Sequence, residues 1–401
     1  VPAGMLIVAL TVFAFFRGIL RATWNHRPEL VPSAPFTTGG KLALGVLLLW
    51  TCIKLAAGAY DLAGVPTYWD DSFNNWNMRG KMFYVQQELV LSIPVGNGVV
   101  QTESGVSSYP PTVSMMKTWL ADVRGAWEEP LVNGVHFAWL LGLIATAYFF
   151  LRRNAGAFVS ALGAYALVSL PLLLIHGSNP YADIFVAAHV LVAAGCVLQV
   201  SKTTGSQRLT WLRLAGLSIG LLAFTKNEAL LLYAPVLAVL LGWQVFRGAD
   251  ANRPEERRAL AIAAGLAATV ILPWLAFKWS HGLSFGNAKA VSSVSFGFSA
   301  AALQAIWFHL SHEPNWLLIP LLLPVLGIAN GKRGWNVLTL FVAAAFAEQT
   351  AIFTLTSLSN EAILQTGLSR GLLHIAPVAV LKQPQLKVVK VIFKVLVDFV
   401  K

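Results

Sequence analysis

Residues able to do chemistry first gather in YWDDSFNNWNMRGKMFY, residues 68–84, where Asp70 and Asp71 precede Arg79 and Lys81. Carboxylates flanked by Trp69, Phe73 and Trp76 lose water, which raises their basicity. The two cations that follow add an anion clamp to that base. A second group, Lys226, Asn227 and Glu228, interrupts LSIGLLAFTKNEALLLYAPVLAV, which is otherwise continuous hydrocarbon. Ionisable groups at such depth cost about 2.5–3.5 kcal/mol each, so they have partners or a task. Two readings stay open: a tight turn closed by its own Lys–Glu pair, or charges kept for function. Arg370, the lone cation of LQTGLSRGLLHIAP, either snorkels or holds a phosphate through two parallel hydrogen bonds. Asp183, beside Tyr181, reads as the cap of the helix that it opens, and Glu348 falls in the outer half of an apolar run.

Other chemistries find less support. His176, His281, His309 and His312 lack zinc-ligand spacing with a second ligand nearby; His309 and His312 with Glu313 share a helical face but form a weak metal set. P-loop, GxSxG and GxGxxG elements do not occur in a usable setting. The residues specify no metal site and no cofactor, and leave a divalent cation open.

The elements that must position these groups follow from composition. Of 401 residues 56% are hydrophobic and 12% charged, with a mean hydropathy of +0.65; that charged share is about half the usual one for soluble domains. The chain therefore reads as an all-α polytopic membrane protein of about eleven spans, each of about 17–25 residues at most. The expected spans are 3–20, 41–60, 134–151, 156–175, 182–200, 209–224, 228–246, 258–277, 315–330, 334–356 and 371–383. The net charge of +11 does not mark a nucleic-acid surface. Most of the Lys and Arg residues, among them Arg152, Arg153, Lys202, Arg208, Arg247, Arg257 and Arg258, fall in alternate loops, which the positive-inside rule assigns to the cytoplasm.

The opposite face carries the elaboration, in loops 61–133 and 278–314 and in the turns HGSNPYAD, TKNE and SLSNEAILQTGLSRG. Within the first loop, TVSMMKTWLADVRGAW after Pro110 and Pro111 is too polar to span and too apolar to float, so it is expected to lie along the outer leaflet. FSAALQAIWFHL in the second loop reads as another surface helix, or as aromatic belt. Cys52 and Cys196 fall inside spans and are expected to pack as small hydrophobes. The chain opens VPAGMLIVAL without an initiator methionine, leaving room for an upstream segment, and its first run reads as a membrane helix rather than a signal peptide. Residues 385–401 alternate Lys and apolar residues at helical spacing, as in a helix on the cytoplasmic surface. Residues 1–401 form a single transmembrane domain on this reading.

Local matches in order along the chain resemble the GT-C glycosyltransferases, in the branch of the protein O-mannosyltransferases and the aminoarabinose transferases. WDDSFNNWNMRGK resembles an acid-bearing outer loop in which Asp71 is the matching acid, with Trp76, Arg79 and Lys81. YPP at Tyr109–Pro111 resembles the Tyr-Pro element opening the next helix, PYADI a Tyr-Ala-Asp element ending in Asp183, FTKNEALLL a Thr-Lys-Asn-Glu turn with Lys226 and Glu228, and TGLSRGLLHIAP a stretch ending in Arg370. The acid loop follows the second span here rather than the first, and Asp70 is an extra acid, so the choice between Asp70 and Asp71 stays open. The resemblance implies a GT-C-like bundle with extracytoplasmic loop helices in a bacterial inner membrane. It implies inverting transfer of a hexose or pentose, mannose among them, from a polyprenyl-phosphate sugar to a hydroxyl of a protein, glycan or lipid acceptor of the cell envelope. On it, Asp71 or Asp70 is the base, Arg79, Lys81, Lys226 and Arg370 bind the donor phosphate, and Trp76, Tyr109, Asp183 and Glu228 support them. A transporter or flippase of lipid-linked sugars and a non-catalytic scaffold are the alternatives.

Overall fold

The computed structural model describes residues 30–33, 36–69, 71–95, 98–101, 108–247, 254–283, 285, 294–313, 316 and 336–382. The expected span 3–20, all of the expected span 315–330 but Trp316, the surface helix 385–401 and Asp70 lie outside them. Among the described residues the regular elements are helices, with one short hairpin, β1 (Ser92–Val95) paired antiparallel with β2 (Gly98–Gln101), that the sequence does not announce, and an isolated bridge between Phe296 and Thr356.

Helix α1 (Thr38–Gly64) leads to a π-helical turn, Asp71–Asn77, that runs directly into α2 (Met78–Gln86). After the hairpin come α3 (Thr112–Arg124), α4 (Glu129–Arg152), α5 (Ala157–Ser169), α6 (Pro171–Ser178), α7 (Asp183–Lys202) and α8 (Gly205–Ala223). A second π-helical turn, Ala229–Tyr233, starts α9 (Ala234–Phe246); α10 (Pro254–Ser280), α11 (Ala300–His312), α12 (Val337–Leu355), the single turn α13 (Asn360–Ile363) and α14 (Gly367–Lys382) complete the order. Six helices among the described residues are long and apolar enough to cross a membrane, or seven if α5 and α6 form one span. The expected span 156–175 is broken: α5 and α6 meet at 70°, because Pro171 has no N–H and excludes helical backbone at Leu170. The expected spans 209–224 and 371–383 are helices α8 and α14, the first carrying Arg208 and Arg213 and the second only 16 residues long.

Helix α7 is the axis of the bundle. Its spanning window is 83% buried, against 6% for α1 and 11% for α10, and it packs against α8, α14, α4 and α9. Burial on every side explains why its sequence is apolar all round rather than striped. Helices α8 and α10 approach closely where Gly216 faces Ala263 and Gly220 faces Ala267; a Cβ on Gly220 would stand 2.8 Å from the Ala267 backbone. Small residues one turn apart let backbones touch where lipid provides no hydrophobic drive.

The loop segment expected to lie along the outer leaflet is helical, as α3. It buries Val113, Ser114, Lys117 and Ala121 and exposes Met115, Trp119 and Val123, which lie four residues apart on one face. Cys196 is buried as expected, whereas Cys52 is exposed on the outer wall of α1; both are free thiols.

Candidate functional site

Chain alternation brings together the C-terminal ends of α1 and α8 and the N-terminal ends of α7 and α14. Arg152, Lys202 and Arg247 lie at the opposite ends of their helices. At the shared end stand two ion pairs with very different surroundings.

The deeper one centres on Asp183, 1% exposed at the first position of α7. It does not cap its helix, as the sequence reading expected: the N-cap is Ala182, and no side chain caps. Its Oδ1 accepts from Lys226 Nζ at 3.0 Å and from His374 Nε2 at 2.9 Å, while His176 Nδ1 stands 3.4 Å from Oδ2. A buried carboxylate left unpaired is prohibitively costly, and three neighbours around one anion remove that cost. Lys226 therefore finds its main partner 43 residues away and not within its own turn; Glu228 Oε1 is second at 3.7 Å. Burial pulls the Lys226 ammonium down, but the Asp183 and then the Glu228 carboxylates outweigh it, so the group is held above its ordinary value and stays charged.

Tyr109 joins the turn to the first loop. Its hydroxyl donates to Glu228 Oε1 at 3.0 Å, its ring lies 5.6 Å beneath the Lys226 ammonium, and Trp76, 2% exposed, packs on it at 5.5 Å. Burial, followed by the Glu228 charge, pushes the Tyr109 phenol well up, so it remains a donor. Thr112 Oγ1 donates to the carbonyl of Phe224, tying α3 to the same turn.

The shallower pair is Arg370 with Asp71, whose side chains keep 29% and 32% of their surface open. Asp71 begins the π-helical turn and Arg370 lies in the first turn of α14, with its guanidinium 5.5 Å from the centre of the Tyr181 ring. π-helical backbone is rare and recurs at functional sites. The expected aromatic shield around Asp71 is incomplete: Trp69 and Phe73 are 41% and 49% exposed, and of the three rings only Trp76 is buried.

Arg79 and Lys81 lie on α2, which follows the acid-bearing turn. Arg79 is buried, with Nη1 3.5 Å from the Pro110 carbonyl and its guanidinium over the Phe83 ring. Lys81, on the same helix, is exposed. Near Arg79, the Ser108 carbonyl accepts from Lys278 at 2.6 Å and from Asn227 at 3.2 Å, so the second loop anchors there too.

A separate polar knot holds the acid-bearing turn. Lys117 is fully buried and donates to Asn77 and, at 2.9 Å, to Asn133; both asparagines donate to Thr67 Oγ1 at 3.0 Å. Burial holds the Lys117 ammonium well below its ordinary value. The knot fastens the end of the turn that Asp71 starts to the beginning of α4.

The histidines divide. His176, which lacks zinc-ligand spacing in the sequence, is 5% exposed, stacked on Tyr181 at 4.4 Å and aimed at Asp183. His281 is exposed and stacks on Phe277. His309 pairs with Glu313 at 2.9 Å, whereas His312 stacks on Phe308. Among the described residues no group of three or more His, Cys, Asp or Glu could hold a metal ion. Glu348 is partly buried on α12, with Oε2 enclosed. The sequence reading missed His374, Tyr233 and Gln349. His374 sat in the quoted LLHIAP, one helical turn beyond Arg370, and that spacing was the available signal.

The sequence matches no protein-family model and no curated protein. Solved structures do match. ArnT from Cupriavidus metallidurans bound to undecaprenyl phosphate superposes with a TM-score of 0.60 at 15% identity, over 85% of this chain and 60% of that one. The chain is similar in fold to ArnT. The apo form of the same protein gives a TM-score of 0.59 at 14% identity, over 85% and 59%. An oligosaccharyltransferase from Archaeoglobus fulgidus aligns over 87% of this chain and 50% of that one at 12% identity, with a TM-score of 0.42, too low to bear on the fold. The chain spans about 60% of the length of the ArnT structures. With ArnT it shares a multi-pass helical membrane fold, as the GT-C resemblance implied.

Proposed function

We propose that the protein is a membrane glycosyltransferase that moves a sugar from a polyprenyl-phosphate donor to an acceptor hydroxyl on the extracytoplasmic side, with inversion at the anomeric carbon. One observation carries the reading: a solvent-reachable carboxylate, Asp71, rests against Arg370 beside the buried Lys226–Asp183 pair, at the helix ends opposite the basic loops. The positive-inside rule supports the extracytoplasmic side. The undecaprenyl phosphate in the ArnT structure supports a lipid-phosphate donor.

The chemistry follows from these groups. A donor phosphate arriving at headgroup depth competes with Asp71 for Arg370, because a guanidinium binds two phosphate oxygens in parallel. Released, Asp71 takes the proton from the attacking hydroxyl, general-base work worth about 10²–10⁴ in rate. The hydroxyl oxygen forms the new bond to the anomeric carbon as the bond to the phosphate oxygen breaks, and the lipid phosphate leaves with the electron pair. Arg370 and Lys226, fixed before the substrate arrives, stabilise the charge that develops there. Trp76, Tyr109, Asp183 and Glu228 orient these cations. Arg79 and Lys81, on α2, help to bind the donor in this reading.

The test is transfer by purified protein in nanodiscs, using an undecaprenyl-phosphate sugar and a panel of protein, glycan and lipid acceptors. Wild type should form a glycoside and Asp71→Asn should form it about 10²–10⁴ times more slowly; full transfer by Asp71→Asn ends the assignment of the base. The 70° break between α5 and α6 favours a second reading, a flippase, since broken helices are common in transporters. Movement of labelled lipid-linked sugar across vesicles without glycoside would establish it.

A further inference from the structure

A chain of buried polar side chains runs inward from Asp183, and nothing in the proposed transfer uses it. Gln349 Nε2 lies 3.1 Å from the Tyr233 hydroxyl, that hydroxyl lies 3.0 Å from His374 Nδ1, and His374 Nε2 lies 2.9 Å from Asp183 Oδ1. Tyr233, His374, Gln349 and Asp183 are each no more than 2% exposed. They come from the start of α9, α14, α12 and α7, so one hydrogen-bonded chain ties four helices beneath the site.

Its direction is set by what each group can donate. Asp183 faces the Lys226 ammonium as a carboxylate, and a carboxylate only accepts; His374 Nε2 must therefore carry the hydrogen. A second hydrogen on Nδ1 would make an imidazolium of a side chain only 2% exposed, a charge taken out of water with the Lys226 ammonium bonded to the same Asp183 oxygen. The remaining charges nearby are matched among themselves, Glu228 standing 3.7 Å from Lys226 and Asp71 resting against Arg370, while His176 approaches the far oxygen of Asp183, so burial decides against the second hydrogen. Nδ1 is thus an acceptor, the Tyr233 hydroxyl donates to it, and the Tyr233 oxygen takes the Gln349 amide hydrogen.

We infer that Gln349, Tyr233 and His374 form a one-way hydrogen-bond relay that locks His374 as the neutral Nε2–H tautomer and makes Asp183, Lys226 and the first turn of α14 a single preorganised unit. The same relay reaches Arg370 through its neighbour. Gln349 Nε2 and the Tyr233 hydroxyl both lie 3.4 Å from the Gly371 carbonyl, and a Cβ at 371 would run into the Gln349 amide. These are positioning residues, and the link to phosphate binding rests on the proposed lipid-phosphate reading.

The experiment is nitrogen NMR of protein labelled with ¹⁵N-histidine in nanodiscs, with the His374 signals among the eight histidines identified by their loss in His374→Gln. Wild type should show a protonated Nε2 and an acceptor Nδ1, and Tyr233→Phe should move the Nδ1 signal to that of a nitrogen without a donor. An Nδ1–H tautomer or an imidazolium in wild type at pH 7 overturns the inference, with no variant needed. Undecaprenyl phosphate is then titrated as the probe. Tyr233→Phe and His374→Leu should weaken its binding about tenfold, the scale of one unsatisfied buried group. His374→Gln, which keeps a donor toward Asp183 and an acceptor toward Tyr233, should restore most of it. Equal binding by all variants removes the positioning role while leaving the lipid-phosphate reading intact. Absence of binding by wild type, with the tautomer as assigned, removes that reading and leaves the locked relay standing.

Discussion

Two ion pairs of like composition sit side by side, and their surroundings separate them. Asp183 and Lys226 keep 1% and 4% of their side-chain surface, whereas Asp71 and Arg370 keep 32% and 29%. A buried pair is not readily opened by water or a substrate, since each charge would lose its nearest compensation. A half-open pair can exchange one partner for an incoming anion at little cost, because solvent screens what remains. The contrast divides the labour: one pair anchors the helices, and the other is free to react.

The contrast can be broken first at its deep end. Asp183→Ala strands the Lys226 ammonium and should cost about 3–5 kcal/mol, read as a lowered thermal midpoint in nanodiscs together with loss of transfer. Replacing the pair in Asp183→Leu/Lys226→Met should recover much of the stability and none of the transfer; failure to recover would mean that Asp183 serves the fold through its histidines and not through Lys226. At the shallow end, Asp71→Asn should lower transfer by about 10²–10⁴ with unfolding unchanged to within about 1 kcal/mol. An Asp71→Asn protein as unstable as Asp183→Ala would erase the distinction. Gly216→Leu, remote from both pairs, sharpens the scale: forcing α8 from α10 should cost about 1–3 kcal/mol while transfer per folded molecule stays at the wild-type level. The smallest effect belongs to exposed Lys81, where Lys81→Ala should change the rate less than about fivefold. A larger loss would draw α2 into the site.

Much of the frame was legible. Long apolar runs produced α1, α4, α7, α9, α10 and α12, because a bilayer accepts little else than self-satisfied helices. The price of burying charge flagged Lys226 as needing a partner, but its partner lay out of reach of that reasoning. Local rules favour Asp at helix starts and so point to Asp183 as a cap; its actual bonds come from residues 43 and 191 positions away. Proline at 171 was visible, yet the angle at which α6 leaves α5, and hence the aim of His176, depends on what packs beside it.

By itself, then, the sequence determined that the chain is a membrane bundle, which loops share a face, and which side chains are too costly there to be idle. Each follows from composition and period, which are local. Only the tertiary structure decided that Arg370 meets Asp71, that Asp183 gathers Lys226, His176 and His374, and that Arg79 is buried at the Pro110 carbonyl while Lys81 is exposed. Helix ends far apart in sequence become neighbours through packing, and packing depends on all the surfaces at once.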